Sequence, residues 1–306
     1  MPEWLLRRFN IFGHSITLPN RAKVRYDRYT VPCCADCNSL MGEVVEQPIS
    51  SVVQGGAQAI NDFASAGNLL KLFVWMGLIY LKTHLKDRYH RFHLDERKGI
   101  DKIADDYDWE HLHHIHSVVR CFYNDCVVDR EAIGSFLSVP VRTPETDDRF
   151  DFADLYMAQT MLLRLDDVAM VSVFNDSGAA LRYFWQTLEK ITGPLSSLRL
   201  RELMVHLAYL NLHLKRRPVF HTECDIINET CHIVATVPEL DLQKLDRKTR
   251  GALLYEAVRD VLPKINFPGR TSEEVVVAIK SGTLTFLFDD EGNFIAKPWS
   301  PRPKKR

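Results

Sequence analysis

Helical spacing of apolar residues dominates the first half of the chain, from Ser51 to about Leu137. Within it, the run from Leu69 to Leu81 is apolar on nearly every face, which predicts a central, buried helix. The run is 13 residues long and contains Lys71, whereas a helix needs ~20 residues to cross a bilayer. We therefore expect a helical region that packs inside the protein and does not insert into a membrane.

Alternating apolar residues and turn residues predict strands in the second half. Residues 160–175 indicate two strands joined at Asp166-Asp167, and residues 219–236 indicate another pair. The strongest hairpin signal is residues 283–297, where two apolar runs flank an acidic, glycine-containing turn. We interpret the acidic pairs in these turns as turn residues and not as paired catalytic carboxylates. Helices are predicted between the strands, at residues 177–191, 197–217, 247–262 and 272–281.

These patterns predict an α+β protein that is mostly helical and has three parts. Residues 1–49 form a cysteine-containing segment, residues 50–138 a helical domain, and residues 150–306 an α+β domain with small β-hairpins and a basic tail. Residues 139–150 carry two prolines and a cluster of charges, so they are the best candidate for a linker.

Composition narrows the function classes without selecting one. The chain has 306 residues, of which 46% are hydrophobic and 26% charged, as in globular proteins. Its net charge of −1 provides no global field for nucleic acid or membrane binding, so any such binding depends on local patches. Seven unevenly spaced cysteines argue against a disulfide framework and favour a reducing cytoplasm, where a close cysteine pair usually binds metal.

The sharpest local feature is the pair Cys34-x-x-Cys37. Residues 22–32 before it alternate as a β-ribbon around an Asp27-Arg28 turn, and a helical pattern follows it. Two thiolates at this spacing can bind one tetrahedral Zn²⁺, which then needs two more ligands from elsewhere. Buried free thiols are the alternative interpretation. A thioredoxin-like redox pair is disfavoured because no βαβ unit surrounds the cysteines.

The order of motifs around this pair resembles the HNH endonuclease family, in the branch with two CxxC knuckles around a ββα-metal, treble-clef-like core. The resemblance covers residues 1–49. It rests on Pro2-Glu3-Trp4-Leu5-Leu6, the ribbon, Val31-Pro32-Cys33-Cys34-x-x-Cys37-Asn38-Ser39-x-x-Gly42, and Glu46.

The resemblance implies a metal-dependent DNA endonuclease with structural Zn²⁺ on Cys34 and Cys37 and a catalytic Mg²⁺ or other divalent ion. Asn38 falls on the last HNH position and is the candidate catalytic residue, whereas the middle Asn position is Tyr29. The family's upstream CxxC and its Glu-His pair, which supplies the general base, are absent before Pro2. We therefore expect hydrolysis to be lost in this chain, since a missing general base costs roughly 10²–10⁴-fold.

Two explanations fit this departure: a start at an internal methionine of a longer protein, which we favour, or a degenerate member of the family. The alternative function is a non-catalytic module with a relict zinc knuckle that binds nucleic acid or protein. Proteins of this type with a long helical extension occur in bacterial anti-phage defence, which is an expectation by association alone.

The first 30 residues carry a local excess of positive charge that suits contact with DNA phosphates. The candidate nucleic-acid-binding residues are Arg7, Arg8, Arg21, Lys23, Arg25 and Arg28. His14 is a weak candidate for a replacement base or metal ligand, and the cluster His111, His113, His114 and His116 is interpreted as structural or surface histidines. The helical domain is the expected site for a protein partner.

Overall fold

The structure of the protein, a computed structural model, describes residues 2–142, 149–225, 227 and 229–296. Half of the predicted linker, residues 143–148, and the predicted basic tail, residues 297–306, lie outside the described residues. The chain divides into two units. Unit 1 comprises residues 1–55, 59–132 and 220–235, and unit 2 comprises residues 56–58, 133–219 and 236–306.

The prediction of a mixed α+β protein is confirmed. In chain order the α-helices are α1 (Glu3–Arg8), α2 (Ala35–Met41), α3 (Gln47–Val53), α4 (Gly56–Phe63), α5 (Leu69–Asp87), α6 (His113–Val119), α7 (Ala179–Leu188), α8 (Ser197–Leu212), α9 (Arg247–Val258) and α10 (Ser272–Lys280). The strands are β1 (Ser15–Thr17), β2 (Lys23–Arg25), β3 (Cys126–Val128), β4 (Phe136–Pro140), β5 (Phe150–Leu155), β6 (Thr160–Leu165), β7 (Val168–Val173), β8 (Val219–Asp225) and β9 (Thr230–Thr236).

Helix α5 is the buried helix that the sequence predicts. Most of its apolar side chains, including Trp75 and Tyr80, are buried in unit 1. The helical stretch Gly56–Asp87 is long and apolar enough to cross a membrane by length and composition, but half of its most apolar window is buried inside the protein. It is kinked at Gly67, whose φ of 87° lies in the left-handed region that glycine tolerates.

The N-terminal hairpin of unit 1 differs from the predicted ribbon. Strand β2 pairs antiparallel with β1, in the register Ile16 opposite Val24, and not with residues 29–31. A 3₁₀ turn at Tyr26–Arg28 follows β2 instead of a hairpin turn. The apolar residues of the hairpin pack on a small cluster centred on Leu18, Tyr29 and Ile103, so Tyr29 is drawn into the interior.

A second sheet of unit 1 brings distant segments together, in the strand order β3-β9-β8. The predicted strand pair at 219–236 is confirmed as β8 and β9. A disulfide joins Cys126 on β3 to Cys231 on β9. The uneven cysteine spacing led us to expect no disulfide framework, so this bond was not predicted from the sequence. The two residues are 105 positions apart but lie opposite each other in a parallel register, with Cα atoms 4.5 Å apart.

Unit 2 is built on an antiparallel sheet in the order β4-β7-β6-β5. The hairpin predicted at 160–175 is confirmed as β6 and β7, with Asp166 in a left-handed turn conformation at φ 61°. Every residue of these two strands is buried. Helix α8 packs on them, and α9 and α10 extend the same core.

The predicted hairpin at 283–297 is wrong as a strand pair. Its described residues form turns with one isolated bridge, between Phe288 and Phe294. The reason lies in helix α8, where the buried carboxylate of Glu202 accepts the backbone N–H groups of Phe286 and Leu287 at 2.5 and 2.9 Å. Because a side chain from another element binds these donors, they cannot form a strand ladder.

Unit 2 also encloses an ion pair between Arg201 on α8 and Asp151 on β5. The guanidinium contacts both carboxylate oxygens at 3.0 and 2.6 Å. The two side chains are 11% and 17% exposed, respectively. Arg201 also donates to the carbonyl of Ala257 on α9 at 2.5 Å, so one guanidinium connects three elements.

Candidate metal knuckle and nucleic-acid interface

Cys34 and Cys37 lie together at the start of α2. Cys34 is the N-cap residue in an extended conformation, and its Sγ accepts the backbone N–H of Cys37 at 3.3 Å. An N-cap side chain normally satisfies one free N–H of the first helical turn, and here a sulfur does so. Cys34 is exposed and Cys37 half-buried, so both thiols are reachable from solvent.

The two thiols interact with each other. The hydrogen bond to Cys37 lowers the pKa of Cys34, and the same interaction raises the pKa of Cys37. The first proton is therefore lost from Cys34. Two adjacent thiols of which one ionises readily form half of a tetrahedral zinc site.

Tyr123, in the turn after α6, is hydrogen-bonded to the backbone of the cysteine turn. Its hydroxyl donates a hydrogen bond to the carbonyl oxygen of Cys37 at 2.7 Å. Burial, followed by the proximity of Cys33, Cys37 and Cys34, raises the pKa of Tyr123 to about 12, so the phenol stays protonated and remains a donor. The sequence analysis missed this residue because it lies 86 positions from Cys37, with no local pattern that links them.

Asn38 is exposed on the first turn of α2, next to Cys37. Its backbone N–H donates to the carbonyl of Cys34 at 3.0 Å, which fixes the backbone while the side chain faces solvent. The position is compatible with the candidate catalytic role and adjoins the two thiols.

Tyr29, at the middle position of the HNH pattern, has a structural role. Its hydroxyl lies 2.6 Å from Oδ1 of Asp87 and 3.1 Å from the carbonyl oxygen of Thr83. The other carboxylate oxygen of Asp87 accepts from Tyr107 at 2.6 Å. A buried phenol held in this way cannot coordinate an ion at the surface.

All six candidate basic residues are exposed. Lys23 and Arg25 alternate with half-buried Val24 on β2, so both lie on its outer face. Arg25 is paired with Asp27 at 2.5 Å, and Arg7 with Glu3 through Nε at 2.9 Å. Arg8 lies over the ring of Phe9, 5.7 Å from its centroid. Within the described ranges Arg21, Lys23 and Arg28 form no ion pair, so their charges are the most available to a phosphate.

The remaining candidates do not join the knuckle. Among the described residues there is no group of three or more His, Cys, Asp or Glu side chains that could hold a metal ion. His14 is exposed just before β1, and its carbonyl accepts the N–H of Tyr26 at 2.9 Å. In the histidine cluster, His114 is buried and the other three residues are exposed. The knuckle therefore provides two ligands from this part of the chain.

Comparison of the chain with family models, with curated proteins and with solved structures finds no match.

Proposed function

We propose that residues 2–53 form a metal-braced, DNA-binding ββα module of the HNH endonuclease type. The observation that carries the proposal is the order of β1, β2 and α2, with Cys34 and Cys37 adjacent at the start of the helix. The hairpin is formed by β1 and β2 and not by the predicted ribbon at 22–32. The order of hairpin, cysteine pair and helix along the chain is the order that the family resemblance implies, and this order supports the proposal.

The residues present fit half of a zinc site. Cys34 and Cys37 would supply two thiolates. The hydrogen bond from the backbone N–H of Cys37 to Cys34 Sγ holds the turn in the conformation that brings them together. Bound zinc would brace the turn against the hairpin and take no part in chemistry. Two further ligands must come from another segment or another polypeptide, because no third His, Cys, Asp or Glu joins the pair within the described residues.

The chain on its own is proposed to bind DNA and not to cleave it. Asn38 would contribute to holding a divalent ion near the scissile phosphate, yet no described histidine is grouped with the two cysteines as a general base. DNA contact would rest on the exposed face of β2 and on Arg28 in the following turn. These contacts are to the phosphate backbone and carry no sequence information by themselves.

The metal half of the proposal is tested by titrating the protein with Co²⁺, a coloured substitute for Zn²⁺. We expect a thiolate-to-cobalt charge-transfer band that is strongly reduced in Cys34→Ser and Cys37→Ser. Cys121→Ser is the matched control, because Cys121 is buried away from solvent. A band of equal intensity in all four proteins would overturn the knuckle assignment.

The DNA half is tested by fluorescence anisotropy with a short duplex at several salt concentrations. The double variant Lys23→Ala/Arg28→Ala should lower the slope of log K against log [salt] by about 2, roughly one per lost phosphate contact. Lys244→Ala/Lys248→Ala removes two exposed charges from unit 2 and should leave the slope unchanged. Equal slopes in all three proteins would favour the alternative, a protein-binding module with a relict knuckle.

The catalytic element is tested with supercoiled plasmid and Mg²⁺. We expect no cleavage above background for the chain itself. Any nicking must be lost in Asn38→Ala to be attributed to this module, and equal nicking by both proteins would remove Asn38 from the mechanism.

A further inference from the structure

Three cysteines lie side by side on the β3-β9-β8 sheet of unit 1. Cys231 is on the middle strand, β9, and forms a disulfide with Cys126 on β3. On the other side, the Sγ atom of Cys224 on β8 lies 3.6 Å from Cys231 Sγ. The central sulfur therefore has a bonded sulfur on one neighbouring strand and a thiol on the other.

This order matches the geometry of disulfide exchange. A thiolate attacks a disulfide sulfur from the side opposite the leaving sulfur and passes through a three-sulfur arrangement. Cys224 and Cys126 are on the two strands that flank β9 on opposite sides, which is the strand order that such an attack requires. Contact between the two sulfurs already exists, so the reaction requires only a small displacement of side chains.

We propose that Cys126, Cys224 and Cys231 form a thiol–disulfide exchange site. Cys224 loses its proton to solvent, and its Sγ forms a bond to Cys231 Sγ. The bond between Cys231 and Cys126 breaks, and its electron pair goes to Cys126 Sγ, which takes up a proton. One disulfide replaces another, so the step needs no oxidant or reductant.

The exposure of the three cysteines indicates which external molecules can reach this site. Cys224 is exposed, and the two bonded cysteines are half-buried. A low-molecular-weight thiol or disulfide of the glutathione class can therefore reach the cluster through Cys224. Cys121, five residues before Cys126, differs because it is buried and burial raises its pKa to about 11, which keeps it an unreactive thiol.

The exchange also has a structural consequence. Strand β3 has three residues and is paired with β9 in parallel, so the disulfide is a large part of what joins it to the sheet. Movement of the bond to Cys224–Cys231 leaves β3 held by hydrogen bonds alone. The proposal is independent of the zinc knuckle, since none of its three cysteines belongs to that turn.

Peptide mapping distinguishes the two disulfides directly. Trypsin leaves Cys224 and Cys231 on one peptide that ends at Lys244, and Cys126 on the peptide 121–130. The Cys126–Cys231 bond therefore gives two cross-linked peptides, and the Cys224–Cys231 bond gives one internally bridged peptide with Cys126 alkylated. The protein is equilibrated in a glutathione redox buffer at pH 7–9, quenched in acid, alkylated under denaturing conditions and digested.

We expect both products from the unmodified chain. Cys224→Ser should give only the cross-linked pair, Cys126→Ser only the bridged peptide, and Cys121→Ser the unmodified distribution. Absence of the bridged peptide from the unmodified chain over the whole pH range would overturn the proposal, and that measurement does not depend on whether a variant folds. The proposal also fails if the three thiols are alkylated only after a chelator removes one equivalent of zinc, because they would then be metal ligands.

Discussion

The sheet of unit 2 and the N-terminal hairpin of unit 1 show two ways of using the same kinds of residue. In unit 2, β6 and β7 are buried along their whole length, and even the arginine of β6 is enclosed. In unit 1, β1 and β2 have three residues each, and β2 exposes its two charged side chains. The first region is stabilised by a large apolar core, whereas the second has a small apolar cluster and lies next to one exposed and one half-buried thiol.

The difference separates a region whose residues stabilise the fold from a region whose residues are available for binding. In unit 2 the mostly buried guanidinium of Arg201 is matched with protein partners, the carboxylate of Asp151 and the carbonyl of Ala257. Several polar groups at the hairpin and knuckle face solvent, as Lys23 and Asn38 do. Surfaces with unmatched charges on short elements suit contact with an external partner.

The largest effect is expected from breaking the enclosed ion pair of unit 2. Asp151→Ala leaves the guanidinium of Arg201 without its carboxylate in a site where both are mostly buried, which should lower the free energy of unfolding by about 3–5 kcal/mol. The matched control is Asp241→Ala. Asp241 and its partner Lys215 are each 50% exposed, so we expect a much smaller loss than in Asp151→Ala. Equal losses in urea denaturation would contradict the contrast between buried and exposed pairs.

A smaller effect concerns His114, which is buried within unit 1, stacks on Phe220 and contacts the carbonyl of Ala132 through Nε2 at 2.9 Å. Burial lowers its pKa to about 4 from 6.5. Between these values the unfolded chain binds a proton that the folded chain excludes, so stability is full above pH 6.5 and falls as the pH drops towards about 4. The loss should reach about 2–3 kcal/mol.

This pH dependence is measured by urea denaturation at intervals from pH 7 to pH 4.5. His114→Phe removes the titrating group and should flatten the dependence. His113→Gln, at the exposed neighbouring position, should retain it. An unchanged slope in His114→Phe would show that the acid sensitivity originates elsewhere.

Tyr123→Phe tests the support behind the knuckle. The variant removes the hydrogen bond to the Cys37 carbonyl and should cost about 1 kcal/mol of stability. It should also weaken the cobalt complex without abolishing it, because both thiols remain. An unaltered cobalt titration would mean that the turn keeps its shape without Tyr123.

The smallest effect on stability is expected from Cys34→Ser in metal-free protein. A serine hydroxyl caps the N-terminus of α2 as well as a thiol does, and the residue is exposed, so the midpoint of thermal denaturation should be nearly unchanged. A large fall in the midpoint of thermal denaturation would mean that Cys34 packs in the core. It would contradict the contrast between the buried sheet of unit 2 and the exposed N-terminal region of unit 1.

The sequence predicted correctly those helices and strands that depend on residues close to them in the chain. The β6–β7 hairpin follows from its acidic turn. Helix α8 begins where the sequence predicts, at residue 197, but it ends at Leu212 and not at the predicted residue 217. The predicted ribbon at 22–32 was wrong because β2 pairs with β1, which lies outside those residues. The predicted hairpin at 283–297 was wrong because the side chain of Glu202, which also lies outside the predicted segment, binds its backbone N–H groups.

The candidate site was predictable to a similar extent. The cysteine pair was predicted from its spacing, the basic positions from a local excess of positive charge, and Asn38 only from the family resemblance. Tyr123 does not, and neither does the pairing of Cys126 with Cys231, because both depend on contacts across 86 and 105 residues respectively. Contacts of that range leave no periodic trace in one sequence.

The discontinuity of unit 1 has a consequence for synthesis of the protein. Residues 220–235 complete this unit only after residues 133–219 of unit 2 have been made. At ribosomal rates of ~5–20 residues per second, β9 follows β3 by roughly 5–20 s. During this interval the nascent chain exposes Cys126 before its bonding partner exists, so correct pairing requires that the thiol stay reduced until translation reaches Cys231.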